Sequence, residues 1–526
     1  MVWGEGMKGI KEYIKKDFKS PKDRERNFSK IKALFDLTEE KEYTIDNITW
    51  NDLEMNKIYE EVDRTYSTAG ELVLYNLLRN PLMEKEELKN RNKLIEDFSK
   101  DLDLSLKIRY ILFKLGFDRK NTLLDMLNGL LTINKRKFFI YIFMGVILPV
   151  VCILSAIILK EPRIMLILFA IICINMEINR KEDTTISGSG LIYLRNLISA
   201  SKKISKIKDE RINTYSERIK DILDDISDID RGTFGISFIT SFNGLFEMVS
   251  VPFLLEEIIY YKISGRIEEE RSKIYELIYL VGELDALIGI ASYKLSNNHK
   301  ICIPEFIKDR SIEIEEGIVP ILENPVANNI KINNKGIVLT GTNMSGKSTF
   351  LRMVGINILI SQCFNFAFAK QYKGCFFNIV SSISLTDDID SGKSYYLAEA
   401  EGILRVIKAL NKEIPVFTLI DEIFRGTNPI ERISSSAEIL SYINKRNSIV
   451  IVATHDRELI DMLKDEYEFY YFSEDIDDDI GLKFDYKIKQ GVSNKRNAIR
   501  LLDYIGYPKE IINKSYERCK SLEKYI

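Results

Sequence analysis

"GTNMSGKSTF", residues 341–350, is the most informative short stretch of this sequence. The stretch fits the pattern Gly-x-x-x-x-Gly-Lys-Ser, whose glycines let backbone N–H groups wrap the oxygens of a phosphate. The apolar run 336–340 before it predicts a strand, and the apolar run 351–360 after it predicts a helix. Because the pattern requires this strand–loop–helix context, we expect a phosphate loop at a helix N-terminus within a parallel α/β domain.

The residue types of this loop suit contacts with a nucleoside triphosphate, and we expect ATP. Lys347 is expected to contact the β- and γ-phosphates, and Ser348 to bind Mg²⁺. We predict that the whole loop takes part in binding: Gly341, Thr342, Asn343, Met344, Ser345, Gly346, Lys347, Ser348 and Thr349.

Two later apolar runs end in residues that complete a hydrolase site. In "PVFTLIDEIFRGTN" (415–428), a strand is expected to deliver Asp421 to Mg²⁺, and Glu422 can orient or deprotonate the attacking water. "SIVIVAT" (448–454) ends before His455, whose imidazole is placed to sense the γ-phosphate. The alternatives are a chance acidic pair at a strand end and a structural histidine. Together with the phosphate loop, the three elements predict a nucleotide hydrolase with Glu422 and His455 as catalytic residues.

Length and composition limit the classes of protein to which the chain can belong. A length of 526 residues predicts two to four domains, and 45% apolar with 29% charged residues is typical of a folded protein. The formal net charge of −3 gives no overall attraction to nucleic acid or acidic lipid. Six scattered cysteines and two histidines argue against a zinc site and favour free thiols in a reducing compartment. The first 20 residues have no apolar core, so we expect no signal peptide.

Two apolar runs in the N-terminal half suggest contact with a membrane. The first, "FFIYIFMGVILPVVCILSAIIL" (138–159), is 22 residues long, against the roughly 20 that a helix needs to cross a bilayer. The second, 164–176, has 13 residues. The sequence predicts a transmembrane hairpin over 138–176, although a buried core helix for the first run, and a partial span, re-entrant piece or core helix for the second, stay open. A further apolar stretch, 233–261, carries polar residues and is expected to be buried core.

Basic residues flank the outer ends of these runs: Lys135, Arg136 and Lys137 before the first, Arg180 and Lys181 after the second. This distribution favours a hairpin with both ends on the cytoplasmic face of the cell membrane. Lys160 and Arg163 in the connecting turn weaken that orientation.

Five ordered motifs resemble those of the MutS mismatch-repair ATPases. They are "TGTNMSGKSTFLR" (340–352), "DDIDSGKSYYLAEAE" (387–401), "IDEIFRGTNPIER" (420–432), "ATHDREL" (453–459) and "YKIKQGVSNKRNAIRLLDYIGYPKEII" (486–512). Upstream, "DRTYSTAGELVLYNLLRNPL" (63–82) is similar to the start of the family's helical core, and "EIEEGIVPILE" (313–323) to the lead-in strand of its ATPase domain. The resemblance is strong over 310–512 and patchy over 50–300.

The resemblance implies an overall organisation. The fold expected is α+α/β: a helical MutS-like core and lever with an inserted transmembrane hairpin, followed by an ABC-type P-loop α/β ATPase domain. The expected boundaries are 1–134 and 182–303 for the two parts of the helical core, 135–181 for the hairpin, and 304–526 for the ATPase domain with a helical tail. The family also implies a homodimer through the ATPase domains, in which Ser394 of the segment 387–401 reaches the γ-phosphate held by the opposite subunit. DNA binding is implied by the family alone.

The sequence also departs from the family. Mismatch readers carry a Phe-x-Glu, which does not occur in the first 130 residues, and we expect neither a mismatch-recognition domain nor a C-terminal nuclease module. In the segment 387–401, Lys393 replaces an arginine and Tyr395-Tyr396 replaces Thr-Phe. The second glutamate falls one position early, at Glu401, and Gly402 stands where the family usually keeps an acid. We therefore expect a membrane-anchored MutS-related ATPase. There are two alternatives. One is a transport ATPase, although the sequence contains no Leu-Ser-Gly-Gly-Gln. The other is a nucleotide-gated scaffold.

Overall fold

The chain groups by its contacts into two units, each built from several separate segments. The computed structural model describes residues 2–131, 133–181, 185–240, 250–342, 345–383, 395–410, 412–424, 428–477, 481–492 and 498–522. The first unit comprises Met1–Glu39, Val62–Asn76 and Lys93–Ser296, and the second comprises Glu40–Glu61, Leu77–Asn92 and Asn297–Ile526. The sequence predicts that all of residues 1–134 belong to the helical core, whereas 40–61 and 77–92 group by their contacts with the sheet-containing unit. The functional boundaries stay predictions.

The described part of the first unit is helical. Its longest helix, Arg271–Ser296, buries residues at helical spacing, including Leu277, Val281, Leu284 and Ile288. The other helices that lie within it are Val2–Asp17, Phe28–Ile31, Ala33–Asp36, Leu102–Leu115, Thr122–Asp125, Met126–Leu130, Lys135–Leu159, Ile164–Lys181, Thr185–Ile204, Glu210–Ile212, Asn213–Asp225, Ser227–Thr240 and Leu255–Glu269, while Thr68–Arg79 and Lys85–Lys100 cross the division between the units.

A buried polar network holds the start of helix Thr68–Arg79 against the long helix. Asp285 accepts hydrogen bonds from the backbone N–H of Tyr66 (3.0 Å) and from the Ser67 hydroxyl (2.6 Å). Gly70 allows this approach, because a Cβ there would lie 2.3 Å from an Asp285 carboxylate oxygen. Burial raises the pKa of Asp285 to about 6 and the pKa of Glu71 to about 7.

The two apolar runs form helices that pack on each other. Lys135–Ile142, a π-helical turn Phe143–Ile147 and Leu148–Leu159 make one continuous helix, and Ile164–Lys181 makes the next. Cys152, Leu168 and Ile171 are buried between them. Many large apolar side chains point outward instead, such as Phe139 (67% exposed) and Ile158 (75% exposed).

By length and composition, one helix of the described residues could cross a membrane. It is the 25-residue helix Lys135–Leu159, with 17% of its apolar window buried. The second helix, Ile164–Lys181, is not such a helix, since its last turns carry Glu177, Arg180 and Lys181. A membrane-spanning hairpin therefore stays a prediction.

A proline accounts for the π-helical turn and for a cross-link between the two helices. In the turn, the N–H of Leu148 donates to the carbonyl of Phe143, five residues back. The residue five positions after Met144 is Pro149, which has no N–H to donate. The buried Asn175 of the second helix donates to the Met144 carbonyl (3.1 Å) and also to the Pro252 carbonyl (2.8 Å). Asn175 thus satisfies an acceptor that the proline leaves open.

The lysine-bearing stretch 199–220, whose charged residues and isoleucine spacing predict one helix, is not one helix in the structure. Helix Thr185–Ile204 ends at its start, and Asn213–Asp225 begins only after an extended segment and a short turn. Lys202 also forms an ion pair with Asp230. The lysines therefore do not line a single helix face.

Two β-sheets form the centre of the second unit. The first has the order β1-β5-β2-β3 and the second the order β10-β9-β4-β8-β7-β6. In the second sheet, β9, β4, β8, β7 and β6 are parallel, and β10 is antiparallel to β9. The strands are β1 Glu305–Phe306, β2 Ser311–Gly317, β3 Asn328–Asn333, β4 Gly336–Thr340, β5 Gln371–Gly374, β6 Asn378–Ser382, β7 Val416–Asp421, β8 Ser448–Thr454, β9 Tyr467–Asp477 and β10 Gly481–Gln490.

The predicted strands 336–340, 416–420 and 448–453 are confirmed to within one residue as β4, β7 and β8. Register sets their ends side by side, with Thr340 opposite Thr454 and Asp421 opposite Ala453. The helices of this unit are Asn47–Asp52, Met55–Val62, Asn298–Lys300, Lys347–Phe364, Tyr395–Ala409, Pro429–Asn444, Glu458–Leu463, Ala498–Ile505 and Lys509–Leu522. In a parallel sheet, ligands bind at the carboxyl ends of strands, which is where the predicted site residues follow β4, β7 and β8.

Candidate nucleotide-binding site

The loop after β4 has the backbone conformation that its glycines permit. Gly341 has φ 149° and Gly346 has φ 107°, a region that side-chain-bearing residues rarely enter. A Cβ on Gly341 would lie 2.8 Å from the Ser345 hydroxyl oxygen. Gly346 is the N-cap of helix Lys347–Phe364, which we call the phosphate-loop helix. The loop thus leads directly into a helix N-terminus, which favours anions.

Lys347 lies at the centre of the site. Its side chain is buried, and its ammonium donates to the carbonyls of Gly341 (2.7 Å) and Thr342 (3.0 Å). The same nitrogen lies 3.3 Å from Nε2 of His455, at the end of β8. Lys347 therefore joins the loop to the strand that carries the predicted histidine.

Two pairs of predicted residues come together beside Lys347. The Ser348 hydroxyl donates to the carboxylate of Asp421 at the end of β7. Glu422 Oε1 lies 3.1 Å from His455 Nε2. Glu422 has φ 66°, unusual for a residue with a side chain, and its N–H donates to the Ala453 carbonyl at 2.9 Å. This backbone turn brings the carboxylate to the imidazole.

These groups fit ATP and Mg²⁺. Ser348 and Asp421 supply the hard oxygen ligands that Mg²⁺ prefers. The buried Ser345 hydroxyl has no hydrogen-bond partner among the residues that the structure describes, which leaves it available to a phosphate oxygen. Three predicted contacts, Asn343, Met344 and Ser394, lie outside the described residues. Thr349 is exposed on the first turn of the phosphate-loop helix.

A cavity of about 310 Å³ opens beside this first helical turn. Its walls combine apolar and aromatic side chains with a few polar ones, the usual make-up of a site for a planar ring. Its lining consists of Val319, Leu322, Glu323, Asn324, Pro325, Val326, Asn328, Gly346, Thr349, Phe350, Met353 and Tyr486. The cavity is suited to the base and ribose of a nucleotide whose phosphates occupy the loop.

Asn328 places the Tyr486 ring at this cavity. Its amide donates to the Tyr486 carbonyl (2.9 Å) and accepts from the N–H of Ile488 (2.9 Å), where the β9–β10 register shifts. A Cβ on Gly346 would lie 3.3 Å from the Tyr486 ring. The sequence alone does not predict this cavity. The one available signal was the Pro-containing loop between β2 and β3.

Two further residues, which the sequence does not predict as part of the site, support His455. Arg432, in the first turn of helix Pro429–Asn444, donates through Nε to Asp456 (3.1 Å), the residue after His455. The Asp456 N–H donates to the Thr454 hydroxyl (3.1 Å). Both residues stand within motifs quoted above, but their pairing depends on the fold.

Part of the chain is similar to known proteins. Residues 337–523 match the family model described as MutS domain V. Proteins named DNA mismatch repair protein MutS are 28% identical over 286 residues in Clostridium kluyveri, 31% identical over 278 residues in Thermotoga maritima and 26% identical over 271 residues in Thermus thermophilus. These matches cover 50–51% of this chain and 32–34% of the relatives. About half of this chain is thus similar to these proteins, and the chain spans about a third of the length of the curated relatives that it matches.

Proposed function

We propose that this chain is a MutS-related protein that binds ATP with Mg²⁺ and hydrolyses it to ADP and phosphate. The observation that carries the proposal is the convergence at one sheet edge of the Ser348–Asp421 contact, Lys347 and the Glu422–His455 pair. The match of residues 337–523 to MutS domain V supports it.

In the proposed reaction, side chains of this protein position the phosphates and activate the attacking water. Lys347 and the N-terminus of the phosphate-loop helix offset phosphate charge. Glu422 orients the attacking water or accepts its proton, and His455, between Lys347 and Glu422, holds the carboxylate in place. Ser348 and Asp421 hold Mg²⁺, which when bound neutralises charge on the β- and γ-phosphates.

Glu422→Gln tests the hydrolase directly. The variant keeps the size of the side chain, so it should bind ATP like the wild type but hydrolyse it roughly 10²-fold or more slowly, the scale of general-base loss. Lys347→Ala should instead weaken nucleotide binding. Wild-type turnover by Glu422→Gln, measured as phosphate release, would show that Glu422 is not the base.

The proposed active form is a homodimer with composite ATP sites. The support is the family resemblance, in which Ser394 acts on the γ-phosphate of the opposite subunit. Ser394→Ala and Lys347→Ala chains, each inactive alone, should regain activity when co-assembled, because the mixed dimer has one intact site. If Ser394 only caps the helix that follows it, mixing restores nothing.

DNA is a proposed partner through the relatives' name alone. Binding should be weak, steeply dependent on salt and insensitive to mismatches, since phosphate contacts dominate non-specific affinity. A tenfold preference for mismatched duplex, about 1.4 kcal/mol, would contradict this proposal.

We further propose that the helix Lys135–Leu159 and the helix that follows anchor the chain at the cytoplasmic face of the cell membrane. Support comes from the length and composition of the first helix and from the outward exposure of residues such as Phe139, Ile158 and Leu166 (72%). In water, such a surface would be costly to expose.

A further inference from the structure

A short helix from early in the chain contacts the helix that carries Ser348 and also contacts β6, the neighbour of the strand that ends in Asp421. Helix Asn47–Asp52 belongs to the same unit as the two sheets. Asp46 caps it, accepting from the N–H of Thr49 at 2.7 Å. Asp52, at its end, is 1% exposed. A buried carboxylate is costly unless it accepts hydrogen bonds, and Asp52 Oδ2 accepts two.

One side of this helix holds β6. The Asp52 carboxylate accepts from the Ser381 hydroxyl (2.7 Å) and from the N–H of Ile383 (2.9 Å). The Thr49 hydroxyl accepts from the N–H of Ser381 (3.2 Å). β6 is the immediate neighbour of β7, with Ser382 opposite Ile420, the residue before Asp421. Asp52 therefore fixes the strand beside the one that ends in Asp421.

The other side holds the phosphate-loop helix. Arg352 donates through Nε to the backbone carbonyl of Asp52 (2.8 Å) and pairs with Glu54 (2.9 Å). Arg352 is four residues after Ser348, so the two lie on the same helix face. One turn on, a Cβ at Gly355 would lie 2.6 Å from the Leu53 side chain, so the elements pack at close range.

We infer that Asp52 and Arg352 are positioning residues for the proposed Mg²⁺ site, which they serve by fixing the separation of Ser348 and Asp421. The inference rests on the proposed function. Mg²⁺ demands near-ideal geometry at about 2.0–2.1 Å, whereas the phosphate loop grips its ligand through many backbone donors. Loosening the link between helix and strand should therefore weaken Mg²⁺ use far more than Mg²⁺-free nucleotide binding.

The test compares Asp52→Ala and Arg352→Met in the full chain with a matched control, Asn444→Ala. Asn444 also makes two hydrogen bonds in this unit, to Gly336 (3.0 Å) and Glu466 (3.0 Å), but at the opposite end of β4. A fluorescent ATP analogue is titrated in EDTA and at increasing Mg²⁺. Asp52→Ala should raise the half-saturating Mg²⁺ concentration about tenfold or more, equivalent to about 1.4 kcal/mol, with affinity in EDTA unchanged within about threefold. Asn444→Ala should leave both unchanged.

Two further readouts separate positioning from general destabilisation. Asp52→Asn keeps an acceptor oxygen and should return the Mg²⁺ requirement to within about threefold of wild type. In the nucleotide-free chain, Asp52→Ala should speed amide exchange in peptides that contain Ile383, whose acceptor is removed.

The outcome that overturns the inference is an unchanged Mg²⁺ requirement in Asp52→Ala, or a change that Asn444→Ala reproduces. Should Asp52→Ala fail to fold, Arg352→Met decides, since Arg352 is partly exposed and its replacement keeps the apolar stem. The behaviour of the wild-type chain distinguishes a failure of the proposed function from a failure of this inference. A wild type that binds Mg²⁺ and nucleotide without hydrolysis contradicts the proposed hydrolase but leaves this test intact, whereas a wild type that binds no nucleotide contradicts both.

Discussion

Among single residues, Tyr486 lines the cavity that we propose for the base of the nucleotide. Its ring borders Gly346, and Asn328, 158 residues earlier in the chain, bonds its backbone. Tyr486 has a left-handed backbone conformation (φ 52°) within β10, and it is one of the residues that line the cavity.

Tyr486→Ala should weaken ATP binding about tenfold, because a stacked aromatic contributes about 0.5–1.5 kcal/mol beyond the area it buries. Isothermal titration with ATP measures the change. Tyr442→Ala, which removes an exposed tyrosine from helix Pro429–Asn444, is the control and should bind normally. Equal affinities for the two variants would place the base elsewhere.

Glu71 makes the stability of the helical unit depend on pH. Burial raises its pKa from 4.5 to about 7, despite Arg24 at 3.1 Å, so the fold favours the protonated form. Since the folded pKa is above the unfolded one, this stabilisation is complete below about pH 4.5 and is lost as pH rises through 7. Asp285, with a pKa raised to about 6, acts in the same direction.

Glu71→Gln removes one of these titrations, so stability should fall less between pH 5.5 and pH 8 than in the wild type, by about 1–3 kcal/mol. Urea unfolding followed by helical circular dichroism at the two pH values measures it. Glu217→Gln, at an exposed helix position, is the control. A wild-type pH dependence in Glu71→Gln would mean that the carboxylate stays ionised in the fold.

The local sequence pattern predicted the site residues that directly follow strands. It did not predict the residues whose partners are distant in sequence. Lys347, Asp421, Glu422 and His455 each stand at the end of a recognisable strand or in a glycine-bearing loop, and the sheet edge then brings them together. Tyr486 and Asp52 carry no such local signal. Their positions depend on a strand bulge and on a helix far away in sequence.

At the scale of elements, the apolar helices carry a specific polar link in addition to their apolar surface. Pro149 leaves the Met144 carbonyl without its helical donor, and Asn175 supplies one from the next helix. Sequence hydropathy indicated where these helices lie. However, the second apolar run ends at residue 176, while the helix continues to Lys181, since helix propagation depends on backbone hydrogen bonds rather than apolarity.

Asn175→Leu should destabilise the helical unit by about 1 kcal/mol, because two carbonyls lose a buried donor. In a Pro149→Ala background the restored N–H can serve the helix, so the same change should cost about half as much. Thermal unfolding in detergent gives the coupling between the two sites. Additive effects would mean that the asparagine and the proline act independently.

At the scale of the whole molecule, membrane attachment by the apolar helices and ATP binding by the sheet unit should be separable. Replacing 138–176 by a short polar linker should release the chain from the membrane fraction while ATP binding persists, since those residues belong to a different unit from the phosphate loop. Ultracentrifugation without detergent and ATP titration measure the two properties. A full-length chain that stays wholly in the supernatant would rule out the anchor.

The interleaved order of the two units has a consequence during synthesis on the ribosome. Asp52 emerges 329 residues before its partner Ser381, a delay of roughly 15–65 s at about 5–20 residues per second. Leu53, Ile58 and Tyr59 are fully buried in the finished protein, and they are made before every strand of the two sheets. The nascent chain therefore exposes an apolar segment soon after synthesis begins and keeps it exposed during this delay. We expect chaperones that act at the ribosomal exit to bind this segment.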